Sequence, residues 1–168
     1  MGGEKIFVAL DNSETRQVAF NAALELAQLK RATLMLYHCI SDDKLAESIV
    51  TMPVELGLSP ELLAPTFEII SERTPKQLEQ ARTMLAQSCQ AATRLGLRAE
   101  FDVGMGEAGE CICQAAKAWK ADTIVIGRRG RTGLAEALLG SVSNYVVHHA
   151  PCWVLVIPLT SEMHVLDV

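Results

Sequence analysis

The 168-residue chain is 49% hydrophobic and 21% charged, a composition that excludes disorder and fits one globular domain with a sizeable core. Its formal net charge of -5 opposes general binding to a nucleic-acid polyanion. The opening MGGEKIFVALDNS has only a short apolar run ended by Asp11, and no apolar stretch approaches the ~20 residues that span a bilayer, so a soluble, cytoplasmic protein is expected.

The apolar run Lys5 to Leu10 predicts a first strand, and DNS after it a turn. Val18, Ala22, Leu26 and Leu29 recur at helical spacing, predicting a helix over Glu14 to Lys30. Thr33 to Ile40 is a continuous apolar run, as expected of a strand covered on both faces. Between Ser41 and Arg73 the pattern loosens around Pro53, Pro60 and Pro65, predicting a variable connection over 41–73 with one or two short helices at most. Thr74-Pro75-Lys76-Gln77 supplies an N-cap, a proline at the first helical position and a glutamine three after the cap. A helix is predicted to start there and to end at Gly96.

A strand over Leu97 to Val103, a helix over Glu107 to Lys120, a strand over Thr123 to Ile126, a helix over Ser141 to His149 and a last strand over Cys152 to Ile157 complete the pattern, with residues 159–168 left as a tail. Five strands alternating with helices imply right-handed crossovers and a mainly parallel sheet with helices on both faces, in one domain over residues 1–168. Such sheets take ligands at the carboxyl ends of their strands, where the winding direction changes.

One stretch lies at such an end. Residues 126–151, IGRRGRTGLAEALLGSVSNYVVHHAP, hold four glycines and three arginines directly after the fourth strand. Gly127 and Gly130 allow backbone to approach a ligand closely, and Gly140-Ser141 opens a helix whose first N–H groups are unpaired. An anion there gains the helix dipole, backbone donors and the Ser141 and Ser143 hydroxyls, with charge-assisted contacts on offer from Arg128, Arg129 and Arg131. Local chemistry fits equally a glycine-rich surface loop with solvated arginines.

The spacing Gly127-x2-Gly130-x9-Gly140-Ser141, after an apolar strand and before a helix and PCWVLVIP, resembles the nucleotide-binding signature of the universal stress protein family. VALDNSE, LYHC and DVGMGEAGECI match the same family's pattern in order and position, so the resemblance covers nearly the whole chain. It implies a Rossmann-like open sheet of order 3-2-1-4-5 and, in ATP-binding members, a nucleotide across the ends of the first, second and fourth strands. Carried onto this sequence, backbone at Ala9 and Gly127 would lie near the ribose, and Asp11 near the ribose or a Mg²⁺ ion held by the phosphates. Backbone at Cys39 would meet the adenine edge. The phosphates would meet Gly130, Arg131, Thr132 and Gly133, then Gly140, Ser141, Val142 and Ser143. The resemblance further implies a homodimer through the last strand, Cys152 to Ile157. Trp153, where many members carry a second proline, and the arginine-rich loop are departures.

Other motifs carry less. Gly104-x-Gly106-x2-Gly109 is a literal dinucleotide fingerprint, but the strand after its helix ends at Gly127, Arg128 and Arg129 without the acid that would hold a ribose; a tight strand-to-helix turn is the stronger reading. Neither the spacing nor the lysine of a P-loop is present. His148 and His149 suit a helix end, and His38 a hydrogen-bonded core position. Cys39, Cys89, Cys111, Cys113 and Cys152 read as reduced thiols; Cys111 and Cys113, two apart on a helix, point in different directions and make a poor metal pair. Asp11 is a lone carboxylate placed for chemistry or for capping the next helix, which supports binding and at most slow ATP hydrolysis. The resemblance implies a stress-responsive ATP-binding factor as the expected function. A hydrolysing or adenylyl-transferring enzyme of the same superfold and a nucleotide-independent scaffold are its alternatives.

Overall fold

The computed structural model describes residues 3–13, 16–41, 64–128 and 139–158, with 64–73 as backbone only. Among these residues, five strands and four helices follow one another as β1 (Lys5–Ala9), α1 (Arg16–Lys30), β2 (Thr33–Ile40), α2 (Ala64–Arg94), β3 (Arg98–Met105), α3 (Ala108–Trp119), β4 (Thr123–Gly127), α4 (Ser141–His149) and β5 (Trp153–Ile157). The strands form one all-parallel sheet in the order β3-β2-β1-β4-β5. The chain winds outward from β1 in both directions, and the switch point lies between β1 and β4.

Strand alternation divides the core into two layers. Ile6 and Val8 of β1, Leu34 and Leu36 of β2 and Val125 of β4 face Phe20, Ala23 and Ala27 of α1 and Met84, Leu85 and Ala92 of α2. Phe7, Tyr37, Ile124 and Ile126 point the other way, against Ile112, Cys113 and Ala116 of α3 and Val146 of α4. Burial on both faces is why β1, β2 and β4 read as unbroken apolar runs rather than alternating ones. Each such large side chain contributes about 1.5–3 kcal/mol by leaving water.

Element ends follow their local chemistry. Gly96, at φ +78°, closes α2 as its N–H donates to the Thr93 carbonyl and that of Leu97 to the Ala92 carbonyl. Glu107 caps α3 by accepting from the Glu110 N–H at 2.8 Å. The start of α2 differs from the expectation. The helix begins at Ala64, ten residues before Thr74, so Thr74 and Pro75 lie inside it and the connection after β2 is shorter than 41–73. Residues 66–74 contain neither glycine nor proline, so nothing local stops a helix from reaching Pro75, whose ring and missing N–H weaken one turn without ending it.

Candidate functional site

The carboxyl ends of β1, β2 and β4 lie side by side. Ala9 is in register with Tyr37 on one side and Ile126 on the other, which places Asp11, Cys39 and Gly127 at one edge of the sheet. The Leu10 N–H donates to the Tyr37 carbonyl at 2.8 Å, and His38, 8% exposed, donates from Nδ1 to the Leu10 carbonyl at 2.7 Å. His38 is thus the core histidine expected from its place, holding the end of β1 against β2. Asp11 accepts from both the backbone N–H and the hydroxyl of Ser13, whose carbonyl accepts from Arg16 at the start of α1. The carboxylate shapes the turn out of β1 and stands at the rim of the switch point.

At the end of β4, Gly127 pairs with Ile157 and the Arg128 N–H donates to the Ile157 carbonyl at 2.8 Å. Arg129, Gly130, Arg131, Thr132 and Gly133 lie outside the described residues. α4 returns antiparallel to the strands, as a crossover to a parallel neighbour requires, so its first turn lies at their carboxyl ends. Gly140 is its N-cap and makes no side-chain capping bond. The first intrahelical bond runs from the Asn144 N–H to the Gly140 carbonyl, and Ser141, Val142 and Ser143 thus carry the unpaired N–H groups of a first turn. Ser141 is exposed, whereas Ser143 is 3% exposed and donates its hydroxyl to the Gly140 carbonyl at 3.0 Å. Ser143 braces the turn that presents the donors.

The three glycines of the dinucleotide-like motif have separate tasks. A Cβ on Gly104 would lie 1.8 Å from the Tyr37 hydroxyl, and one on Gly109 would lie 2.7 Å from the Tyr145 ring. Gly106, at φ +137°, makes the turn into α3. Gly104 and Gly109 therefore admit tyrosine rings where a dinucleotide motif would admit phosphate, and the turn reading holds. The Tyr37–Gly104 contact and the Gly109–Tyr145 contact, which locks α3 onto α4, escaped the sequence reading, because the motif marks the glycines and not the rings that fill them. Burial, with smaller contributions from Cys111, Cys39 and Asp102, pushes the Tyr37 phenol well above its usual range, so it stays neutral at physiological pH.

His149 donates from Nδ1 to the Tyr145 carbonyl at 2.8 Å and stacks on that ring with centroids 4.0 Å apart, the helix-end role expected of it. Burial raises the Cys89, Cys113 and Cys152 thiols. Among the described residues no group of three or more histidine, cysteine, aspartate or glutamate side chains could hold a metal ion, and no helix is long and apolar enough to cross a membrane.

The fold and this edge define a doubly wound α/β domain in which the first turn of α4 lies at the carboxyl ends of the strands. The model of the universal stress protein family matches residues 3–158, and the chain belongs to that family. It is 40% identical over 157 residues to the universal stress protein Sll1388 of Synechocystis sp., covering 94% of this chain and 99% of that one. The solved structure of UspA from Lactobacillus plantarum is similar with a TM-score of 0.71 and 26% identity, covering 94% of this chain and 99% of the other. Two more distant structures share the fold. One is a universal stress protein in complex with cAMP, at TM-score 0.62 and 19% identity, covering 95% of this chain and 100% of that one. The other, from Archaeoglobus fulgidus, is in complex with dAMP, at TM-score 0.59 and 20% identity, covering 94% of this chain and 99% of the other.

Proposed function

We propose that this universal stress protein binds ATP across the carboxyl ends of β1, β2 and β4 and acts as a nucleotide-responsive, dimeric stress factor. The observation that carries the reading is the first turn of α4, whose Gly140 cap has no side-chain capping bond at the switch-point end of the sheet. An anion there satisfies orphan N–H groups and gains the helix dipole. Support for the adenosine part comes from the fold relatives in complex with dAMP and cAMP. The ribose would rest on backbone at Ala9 and Gly127, the adenine edge on backbone at Cys39, and the phosphates on residues 130–133 and Gly140 to Ser143.

The donor set fits this ligand. Backbone N–H groups suit phosphate oxygens, and a single carboxylate at the rim, Asp11, suits an Mg²⁺ ion that arrives with the nucleotide rather than one caged by the protein. With one carboxylate at the rim, these residues bind and orient; any hydrolysis would be slow. The last strand, β5, is the proposed surface for a second copy.

The test is binding. In nucleotide-free protein, ATP with Mg²⁺ at a hundredfold excess over its Kd is expected to stabilise the fold by about 2.7 kcal/mol. Gly140→Val and Gly130→Val are expected to remove that gain while the unliganded proteins still fold, since a branched side chain crowds phosphate-facing backbone. Arg129→Ala should cost less, as an exposed arginine contributes a screened charge. No thermal shift in the wild type, or equal calorimetric affinity in both valine variants, overturns this site.

A further inference from the structure

Two of the five cysteines differ from the rest in where their sulfurs lie. Cys89 Sγ donates to the Ala99 carbonyl, Cys113 is buried, and Cys152 packs against the α3–α4 layer. Cys39, at the end of β2, and Cys111, in the first turns of α3, are partly buried, as Cys89 and Cys152 also are, and pack against the same layer of the sheet. Cys39 Sγ donates to the Gly106 carbonyl at 3.5 Å, and Cys111 Sγ to the Met105 carbonyl at 3.5 Å, both at the exposed surface. Consecutive residues thus hold the two sulfurs, and a Cβ on Gly106 would lie 3.2 Å from Cys111 Sγ. The end of β2 is tied to the same turn by the bond from the Gly106 N–H to the Ile40 carbonyl at 3.0 Å.

Cys39 Sγ also lies 3.9 Å from the Ile40 carbonyl, and since sulfur hydrogen bonds are weak, a thiol exchanges one such contact for another at low cost. Gly106 carries no side chain beside Cys111 Sγ, and glycine tolerates the positive φ of this turn. We propose that Cys39 and Cys111 form a dithiol that hydrogen peroxide oxidises to an intramolecular disulfide. The thiolate of one cysteine attacks the peroxide O–O bond, becoming a sulfenic acid as water leaves. The second thiol attacks that sulfur and releases a second water, so two thiols become one disulfide as the peroxide is reduced to two waters. The bond would join β2 to α3 across the Gly106 turn.

The dithiol does not depend on nucleotide binding, and its test needs no ligand. The reduced full-length protein is treated with one equivalent of hydrogen peroxide, then alkylated, digested and mapped by mass spectrometry. The expected product is a single linked pair of peptides carrying Cys39 and Cys111, with Cys89, Cys113 and Cys152 alkylated and a reductant restoring the starting mass. Cys111→Ser should abolish the link and, once peroxide is raised to excess, let Cys39 proceed through sulfenic to sulfinic acid, whereas Cys89→Ser should leave the link intact. Absence of a Cys39–Cys111 peptide in the wild type overturns the proposal. So does over-oxidation of Cys39 at the same rate in the wild type and in Cys111→Ser, which would mean that the second thiol never reaches the first.

Discussion

Gly104 ties a backbone choice to a buried ring. Tyr37 is 5% exposed and its ring lies 5.1 Å from that of Phe7, so it has no room to retreat from a methyl group 1.8 Å from its hydroxyl. Gly104→Ala is therefore expected to destabilise the fold by about 1–3 kcal/mol, the usual range for overpacking a core. Urea denaturation measures it. Repeating the substitution on Tyr37→Phe should shrink the penalty, since the closest atom is then gone; equal penalties in both backgrounds would mean that the hydroxyl is not what meets the new methyl. The same residues mark the limit of the sequence reading. The glycines at 104, 106 and 109 were visible, and a turn was the right reading of them. Their partners Tyr37 and Tyr145 come from a distant strand and helix, and side-chain contacts of that kind leave no periodic signal. The α4 cap at Gly140 was legible because it depends on neighbours in the chain, and His38 because it stands in a continuous apolar strand, although its partner Leu10 lies 28 residues away.

Elements were legible wherever burial was two-sided or a cap was local. The apolar runs of β1, β2 and β4 announced a covered parallel sheet, and Gly96 and Gly140 sit at the helix ends expected of them. The exception is α2. Thr74-Pro75 has the residues of a helix start, yet propensity near a proline is a weak prior that the surrounding helix overrides. The two readings make opposite forecasts for Pro75→Ala. At a first helical position proline is well suited, and its loss would be neutral or harmful. Inside α2, where Pro75 is exposed and has no packing to lose, alanine should restore a helical N–H and remove the ring clash. Thermal unfolding should then show a gain on the order of 1 kcal/mol, below the full interior cost of about 3 kcal/mol because proline also restricts the unfolded chain. A loss of stability would restore the boundary at Thr74.

At the scale of the whole molecule, the two edges of the sheet are unlike. β5 carries no charge, with Trp153 82% and Leu155 40% exposed, and its free side would leave a row of backbone donors and acceptors uncovered. A second copy paired antiparallel about a two-fold axis covers it most economically. Leu155→Pro, which removes one N–H from that ladder and distorts the strand, is expected to convert a dimer to a monomer in size-exclusion chromatography with light scattering. A monomeric wild type at micromolar concentration, or a folded variant that stays dimeric, would exclude this strand as the interface.

The opposite edge, β3, exposes Arg98, Glu100 and Asp102 along its length. Head-to-tail stacking of β5 onto β3 would repeat without end and build a filament. Charged side chains on the receiving edge stand against such growth, while a two-fold pairing of β5 with itself uses up the only uncharged edge in a single step. In the proposed dimer, neutralising all three positions would therefore remove a barrier to open growth.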